Sequence, residues 1–195
     1  MKKLLIVLIL CILSFSGCVV IKGDDYFTLD LINEARKRIL KEHPEVEIVF
    51  YEFTGGVRAE PSITMKKGVE KIDQGAKKIS DLIWWEFIFG CEGNKTAVIK
   101  KINGEWQQSI IVNSPWAEDV PFKPEYIRID LYDAIQILKV YLWEDATPCD
   151  TFDFVVFRQP LKIETTEPYY IFTIAPHDYV YVGAITGGIK TEKGN

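Results

Sequence analysis

One order of elements occurs twice along this chain of 195 residues, and it sets what the chain can fold into. The first copy opens near Asp30, where Leu31, Ala35 and Ile39 fall at i, i+4 and i+8 on one helical face. Arg36, Lys37, Arg38 and Lys41 take the other faces. Asp30 reads as the N-cap, and Pro44 ends the helix just after His43. Val46, Ile48 and Phe50 then alternate with Glu47, Val49 and Tyr51 in the period of a strand. Residues 54–81 are ambiguous, because Gly68 and Gly75 weaken the helical stripe of Ile72, Ala76 and Ile79. Residues 84–89 and 96–102 read as strands joined around Glu92-Gly93-Asn94. Asn103-Gly104 is a strong hairpin signal, with 106–112 as the returning strand.

The second copy follows a stretch with Pro115, Pro121 and Pro124. Asp130 caps a helix whose stripe is Leu131, Ala134, Ile135, Leu138 and Leu142. Strands follow at 152–157, 169–174 and 179–185, and Thr186-Gly187 stands where the first copy has Asn103-Gly104. The spacing of roughly 85 to 100 residues is too long for a solenoid. The pattern predicts an α+β chain of two tandem small domains, each laying one helix on an antiparallel sheet. Their expected bounds are 29–112 and 129–195, with 113–128 as linker.

The amino end carries different information. Lys2 and Lys3 precede ten apolar residues, Leu4 to Leu13, and then Ser14, Phe15, Ser16, Gly17 and Cys18. A basic start, a short apolar core and small residues before a cleavage point make a secretory signal, here 1–17. Phe15-Ser16-Gly17-Cys18 resembles a lipobox, which implies lipid on Cys18 and a tether over 18–28. Phe15 stands where leucine is usual. The other reading is an uncleaved anchor, in which Val19, Val20 and Ile21 lengthen the apolar run to about 18 residues, the lower limit for a span. Either way the rest of the chain is exported, to the outer face of the membrane or the cell surface.

Loss of Lys2 and Lys3 takes the net charge from -5 to -7, so the chain lacks the basic footprint of a nucleic-acid binder. Of the four cysteines, Cys11 lies in the apolar core and Cys18 at the lipid site. Cys91 and Cys149 remain. Outside the cytoplasm they could form a disulfide or stay as two buried thiols, and neither has a partner at metal-ligand spacing.

The second copy's ending, Tyr170-Ile171-Phe172-Thr173-Ile174 followed by Val180-Tyr181-Val182-Gly183-Ala184-Ile185-Thr186-Gly187-Gly188-Ile189, resembles the closing hairpin of the PepSY domain. In that family an aspartate commonly precedes the alanine, where this chain has Gly183. The resemblance spans most of residues 30–190. It implies a PepSY/cystatin-like fold and a role in binding peptides or proteins, including restraint of proteases.

A catalytic set is not legible. His43 and His177 are the only histidines, and His177 beside Asp178 is the sole candidate base. Glu144, Asp145, Asp150 and Asp153 are the densest carboxylates, without the spacing of a calcium loop. No cofactor or metal site is expected. The aromatic excess points elsewhere. Trp84-Trp85 and Tyr169-Tyr170 are adjacent pairs on strands, so one member of each faces away from the helix. These four are the expected contacts for an unidentified protein or peptide partner, or else the packing between the halves. The reading is a non-enzymatic lipoprotein that binds a partner; the alternative is a structural component of an envelope complex.

Overall fold

The computed structural model describes residues 28–57, 75–144, 151–161, 166–175 and 178–193. Among the described residues the fold is α+β, with two α-helices on one face of a single antiparallel sheet of nine strands. Helix α1 is Thr28–Glu42. It is followed by β1 (Ile48–Gly56), β2 (Trp84–Cys91), β3 (Lys95–Ile102), β4 (Glu105–Trp106) and β5 (Ile110–Val112). Helix α2 (Leu131–Glu144) leads into β6 (Phe154–Arg158), β7 (Tyr169–Ala175), β8 (Asp178–Gly183) and β9 (Ile189–Lys193). The same sequence of elements therefore recurs, as the two apolar stripes and paired hairpins predict.

The halves meet edge to edge. The strand order is β4-β3-β2-β1-β6-β7-β8-β9, with β5 also on β3. At its centre β1 pairs with β6, Phe53 opposite Phe157. The inward residues of both helices form one cluster with Phe53, Phe87, Phe157, Tyr170 and Phe172. Phe157 sits at the middle of it, 4.5 Å from Tyr170, 5.1 Å from Phe53 and 5.3 Å from Phe122, centroid to centroid. A core that crosses the junction buries more apolar surface than two small cores would, and small domains are limited by that quantity.

Beyond Glu52 and Arg158 the central pairing stops. The stretch read as a linker enters this split. Asp119 bridges to Pro160, Val120 N–H donates to the Gln159 carbonyl at 2.9 Å, and Phe122 N–H donates to the Phe50 carbonyl at 3.4 Å. The Phe122 ring then stands edge-on to both Phe50 and Phe157. Pairing partners in the split would otherwise be missing, and buried backbone groups must find some.

Several local expectations need correction. Helix α1 begins at Thr28, so Asp30 lies in its first turn instead of capping it. The returning strand of the first half is broken into β4 and β5, because Gln107 N–H turns to the Lys100 carbonyl and Ser109 N–H to the Glu42 carboxylate. The β2–β3 and β3–β4 turns are as expected, with Gly93, Asn94, Asn103 and Gly104 all at positive φ. Of the ambiguous region, Ile79–Asp81 forms a single 3-10 turn, with Ile79 and Ala76 buried.

Candidate functional site

The densest chemistry lies where the central pairing ends, on the face of the sheet away from the helices. Tyr51 is an extra residue in β1, a bulge against β2, and it resets the alternation so that Phe50 and Phe53 both point to the core. Glu52 is thereby turned to the opposite face. Arg158, its partner across the junction, reaches Glu52 at 3.7 Å, Asp119 at 3.4 Å and Glu118 at 3.8 Å. Trp116 Nε1–H donates to Asp119 Oδ2 at 2.8 Å.

Glu52 and Asp119 are both buried, and Glu52 Oε2 and Asp119 Oδ1 have no ordinary donor. The closeness of Asp119 favours a proton on Glu52. Burial first, then the contact with Asp119, pushes the Glu52 pKa up to about 8, against the opposing pull of Arg158. A carboxylic acid beside a carboxylate and a guanidinium is a group set that can move protons. Here it is packed under its neighbours, and its evident work is to pin residues 116–122 across the junction.

A second polar network joins the helices. Asp130 accepts Tyr132 N–H at 3.1 Å in its own helix and Thr28 N–H at 2.6 Å at the start of the other. Thr28 Oγ1 in turn accepts Leu131 N–H at 3.0 Å. Tyr170 O–H donates to the Ile129 carbonyl at 3.0 Å, so Thr28 Oγ1 is the donor in its 2.8 Å bond to Tyr170 Oη. Each helix is thus capped by a residue of the other half. Burial raises the pKa of both Asp130 and Tyr170. An open recess of about 420 Å³ lies beside these ends, with Asp30, Arg128, Asp130 and Asp133 among its lining.

The four aromatics expected to meet a partner are packed in this structure. Trp84, Trp85, Tyr169 and Tyr170 are 7 %, 6 %, 3 % and 0 % exposed. Gly55 and Gly56 stand opposite Trp85 and Trp84, and a Cβ on either would come within 2.7 Å of the indole. The signal was present in the sequence as a Gly-Gly pair ending one strand and a Trp-Trp pair opening the next. Tyr169 packs edge-on to Tyr181 with Lys190 above it. Cys91 is a half-buried free thiol whose pKa is raised by burial. Cys18, Cys149, Asp145, Asp150 and His177 lie outside the described residues. His43 stands 4.0 Å from Glu45. Among the described residues no group of three His, Cys, Asp or Glu is arranged to hold a metal, and no helix is long and apolar enough to cross a membrane.

Apolar side chains are instead exposed at several places, among them single residues such as Tyr126, Leu161 and Ile189 and two groups that the sequence reading missed. On β5, Ile110 and Val112 are exposed, with Val49 of β1 also exposed on that face. On α2, Tyr132, Val140 and Trp143 are 41 %, 59 % and 87 % exposed. The spacing of those three, outside the Leu131–Leu142 stripe, could have flagged them. No family model, curated protein or solved structure matches the chain.

Proposed function

We propose that the protein is an exported, lipid-anchored binding module built from tandem PepSY-like halves, holding a protein or peptide partner without catalysing a reaction on it. The observation that carries the binding role is the β5 edge. β5 pairs only with β3 among the described residues, so its other side offers free backbone groups. Ile110 and Val112 stand exposed on it. An unpaired, apolar edge is a template for an added strand, the commonest way a sheet takes up an extended peptide. The far edge is different. On β9 the exposed Ile189 is followed by Lys190 and Glu192, charges that discourage such pairing.

The anchor rests on the basic, apolar and small-residue segments that end at Cys18. The family reading draws support from the closing hairpin. Glu167 accepts Ile185 N–H, Thr186 N–H and Thr186 O–H at 2.8, 3.0 and 2.7 Å. Its carboxylate stands 2.6 Å from where a Cβ on Gly183 would be. A carboxylate therefore occupies the neighbourhood in which the family's aspartate would project, delivered from β7's side. The scaffold alternative draws on the burial of Trp84 and Trp85.

The test is photo-cross-linking in the intact producing membrane, with a reactive residue at 110 or 112 and a control at exposed Glu45. Adducts specific to the β5 positions are expected. No adducts there, or equal adducts at Glu45, would favour the scaffold. Mass spectrometry of the mature amino end checks the anchor separately: a diacylated or acylated Cys18 is expected, and an intact Met1 sinks it.

A further inference from the structure

We propose that the helix layer is a membrane-docking face, with the basic side of α1 on anionic lipid headgroups and Trp143 of α2 in the bilayer interface. This rests on the exported, anchored reading above and names the surface the anchor brings down.

The charge on α1 is sorted. Of its three carboxylates, Asp30, Glu34 and Glu42, the last two are turned to the sheet edge. Glu34 takes Trp106 Nε1–H at 2.7 Å and Lys101 at 3.3 Å, and Glu42 takes the Ser109 N–H at 2.8 Å. Hydrogen bonds from Ser109 hold the Glu42 pKa below the usual carboxylate value, so it stays ionised where it is bound. Arg38 lies 6.0 Å from the Trp106 ring. Arg36, Lys37 and Lys41 are left exposed, with no ion pair among the described residues. A protein of net charge -5 thus displays a basic helix face in one place. Anionic headgroups complement it, and each such residue near the surface strengthens partitioning about fivefold.

The apolar complement is on α2. Tyr132, Val140 and Trp143 share its outward side with Lys139. Tryptophan and tyrosine favour the headgroup level, where the ring is half wet and half apolar. Both helices cover the same face of the sheet, because their inward residues belong to one cluster and their amino ends are bonded together. Their outward sides therefore look the same way. Asp30 and Asp133 line the recess between the two helix starts, and Glu144 is the last residue of α2.

Chain length favours lipid over other occupants. The apolar run Leu4–Leu13 precedes the layer, and the ten residue steps from Cys18 to Thr28 span at most about 35 Å. The chain enters the layer at Thr28, one end of this face. Tethering makes the contact intramolecular, so weak individual terms suffice. The β5 edge and the opposite face of the sheet then remain open to a partner.

The test uses the full chain reconstituted into phosphatidylcholine vesicles, with and without phosphatidylglycerol, carrying bromine in the acyl chains. Flotation reports the anchor, and quenching of tryptophan fluorescence reports docking. With anionic lipid, bromine is expected to quench the wild type, and Trp143→Phe to remove most of that quenching. Arg36→Glu/Lys37→Glu/Lys41→Glu should float equally well but lose the effect of anionic lipid by on the order of tenfold or more. Because all four side chains are exposed, both variants keep the fold. A chain that floats with no quenching, or with quenching unchanged in Trp143→Phe, overturns docking while leaving the anchor intact. A chain that does not float overturns both. If Trp143 is shielded from aqueous iodide but not reached by brominated lipid, a protein surface covers it and the proposal falls.

Discussion

The two halves follow one plan and expose opposite things. The first half shows charge on its helix, through Arg36, Lys37 and Lys41, and apolar residues on its edge strand, through Ile110 and Val112. The second half shows apolar residues on its helix, Val140 and Trp143, and an edge where Lys190 and Glu192 follow the single exposed apolar residue, Ile189. What is alike is what faces inward. Phe87 and Phe172 hold equivalent places, both wholly buried in the shared cluster. Core positions answer to packing and tolerate only similar volume, whereas outward positions are free to take on separate contacts. The comparison teaches that the repeat is a matter of folding and the differences are where function is to be sought.

The largest expected effect tests whether the halves are one folding unit. Phe157→Ala at the junction should cost about 3–5 kcal/mol, as for other fully buried aromatic truncations. Because Phe157 touches Phe50 and Phe53 of one half and Tyr170 of the other, urea unfolding should stay a single transition with a lower midpoint. Two separated transitions in wild type or variant would show that the halves unfold independently, and the comparison above would become one between two domains.

Next in size is the closing hairpin, where the halves use different devices. Asn103-Gly104 makes the first half's turn from backbone preference alone, both residues at positive φ. The second half's turn is held by the Glu167 carboxylate and its three donors. Glu167→Ala leaves those donors without a partner and should cost about 1–3 kcal/mol. Gly183→Asp in the wild type places a side chain against Glu167 and should also destabilise. Made together, the two changes should be less damaging than their sum, read by thermal melts. Strict additivity would show that the two positions do not share one carboxylate site.

The junction also predicts a pH dependence. The Glu52 pKa is raised to about 8 in the folded chain, above its ordinary value of 4.5. Between those limits the folded state holds a proton that the unfolded state has released. The stabilisation is fully present in acid and fades as pH rises toward about 8, by at most about 1.4 kcal/mol per unit. Glu52→Gln puts an uncharged amide beside Asp119 with no group to titrate, so this fall should flatten, and above pH 8 the variant should be the more stable by about 1 kcal/mol or more. A variant with the wild-type slope would move the origin of the pH dependence away from the Glu52–Asp119 pair.

How much of this was legible depends on range. Helix and strand positions followed from period, since Leu31, Ala35 and Ile39 or Leu131, Ile135 and Leu142 are local patterns. The β3–β4 turn followed from Asn103-Gly104. The edge-to-edge junction did not, because the pairing of 52–56 with 154–158 has no local signature. The Tyr51 bulge hid Glu52 as well. Strict alternation puts Glu52 on the core face with Phe50, and a single extra residue reverses that. Trp84 and Tyr169 looked like contact residues because alternation turns them away from the helices, and it carries no information about what covers the far face. Trp143 is legible only in part, for the opposite reason: it falls outside the Leu131–Leu142 stripe, but a large apolar residue in a last helical turn has no local signal that says whether it is covered.

The smallest effect is the most specific to the pairing of halves. Thr28 and Asp130 begin the two helices, and each supplies what the other's amino end lacks. Thr28→Ala removes the acceptor for Leu131 N–H and the donor to Tyr170, and Asp130→Ala removes the acceptor for Thr28 N–H and Tyr132 N–H. Each loss should cost about 1 kcal/mol, typical of a cap. Ordinary caps act within their own helix, so two of them would add. Here each cap depends on the other helix start staying in place, so once one is lost the second has less to hold. The double variant should therefore cost measurably less than the sum, a coupling of about 0.5 kcal/mol or more in chemical denaturation. Tyr170→Phe should weaken that coupling, because its hydroxyl links Thr28 to the Ile129 carbonyl. Full additivity would mean that the two helix ends lie together without supporting each other, and the halves would then be joined through β1 and β6 alone.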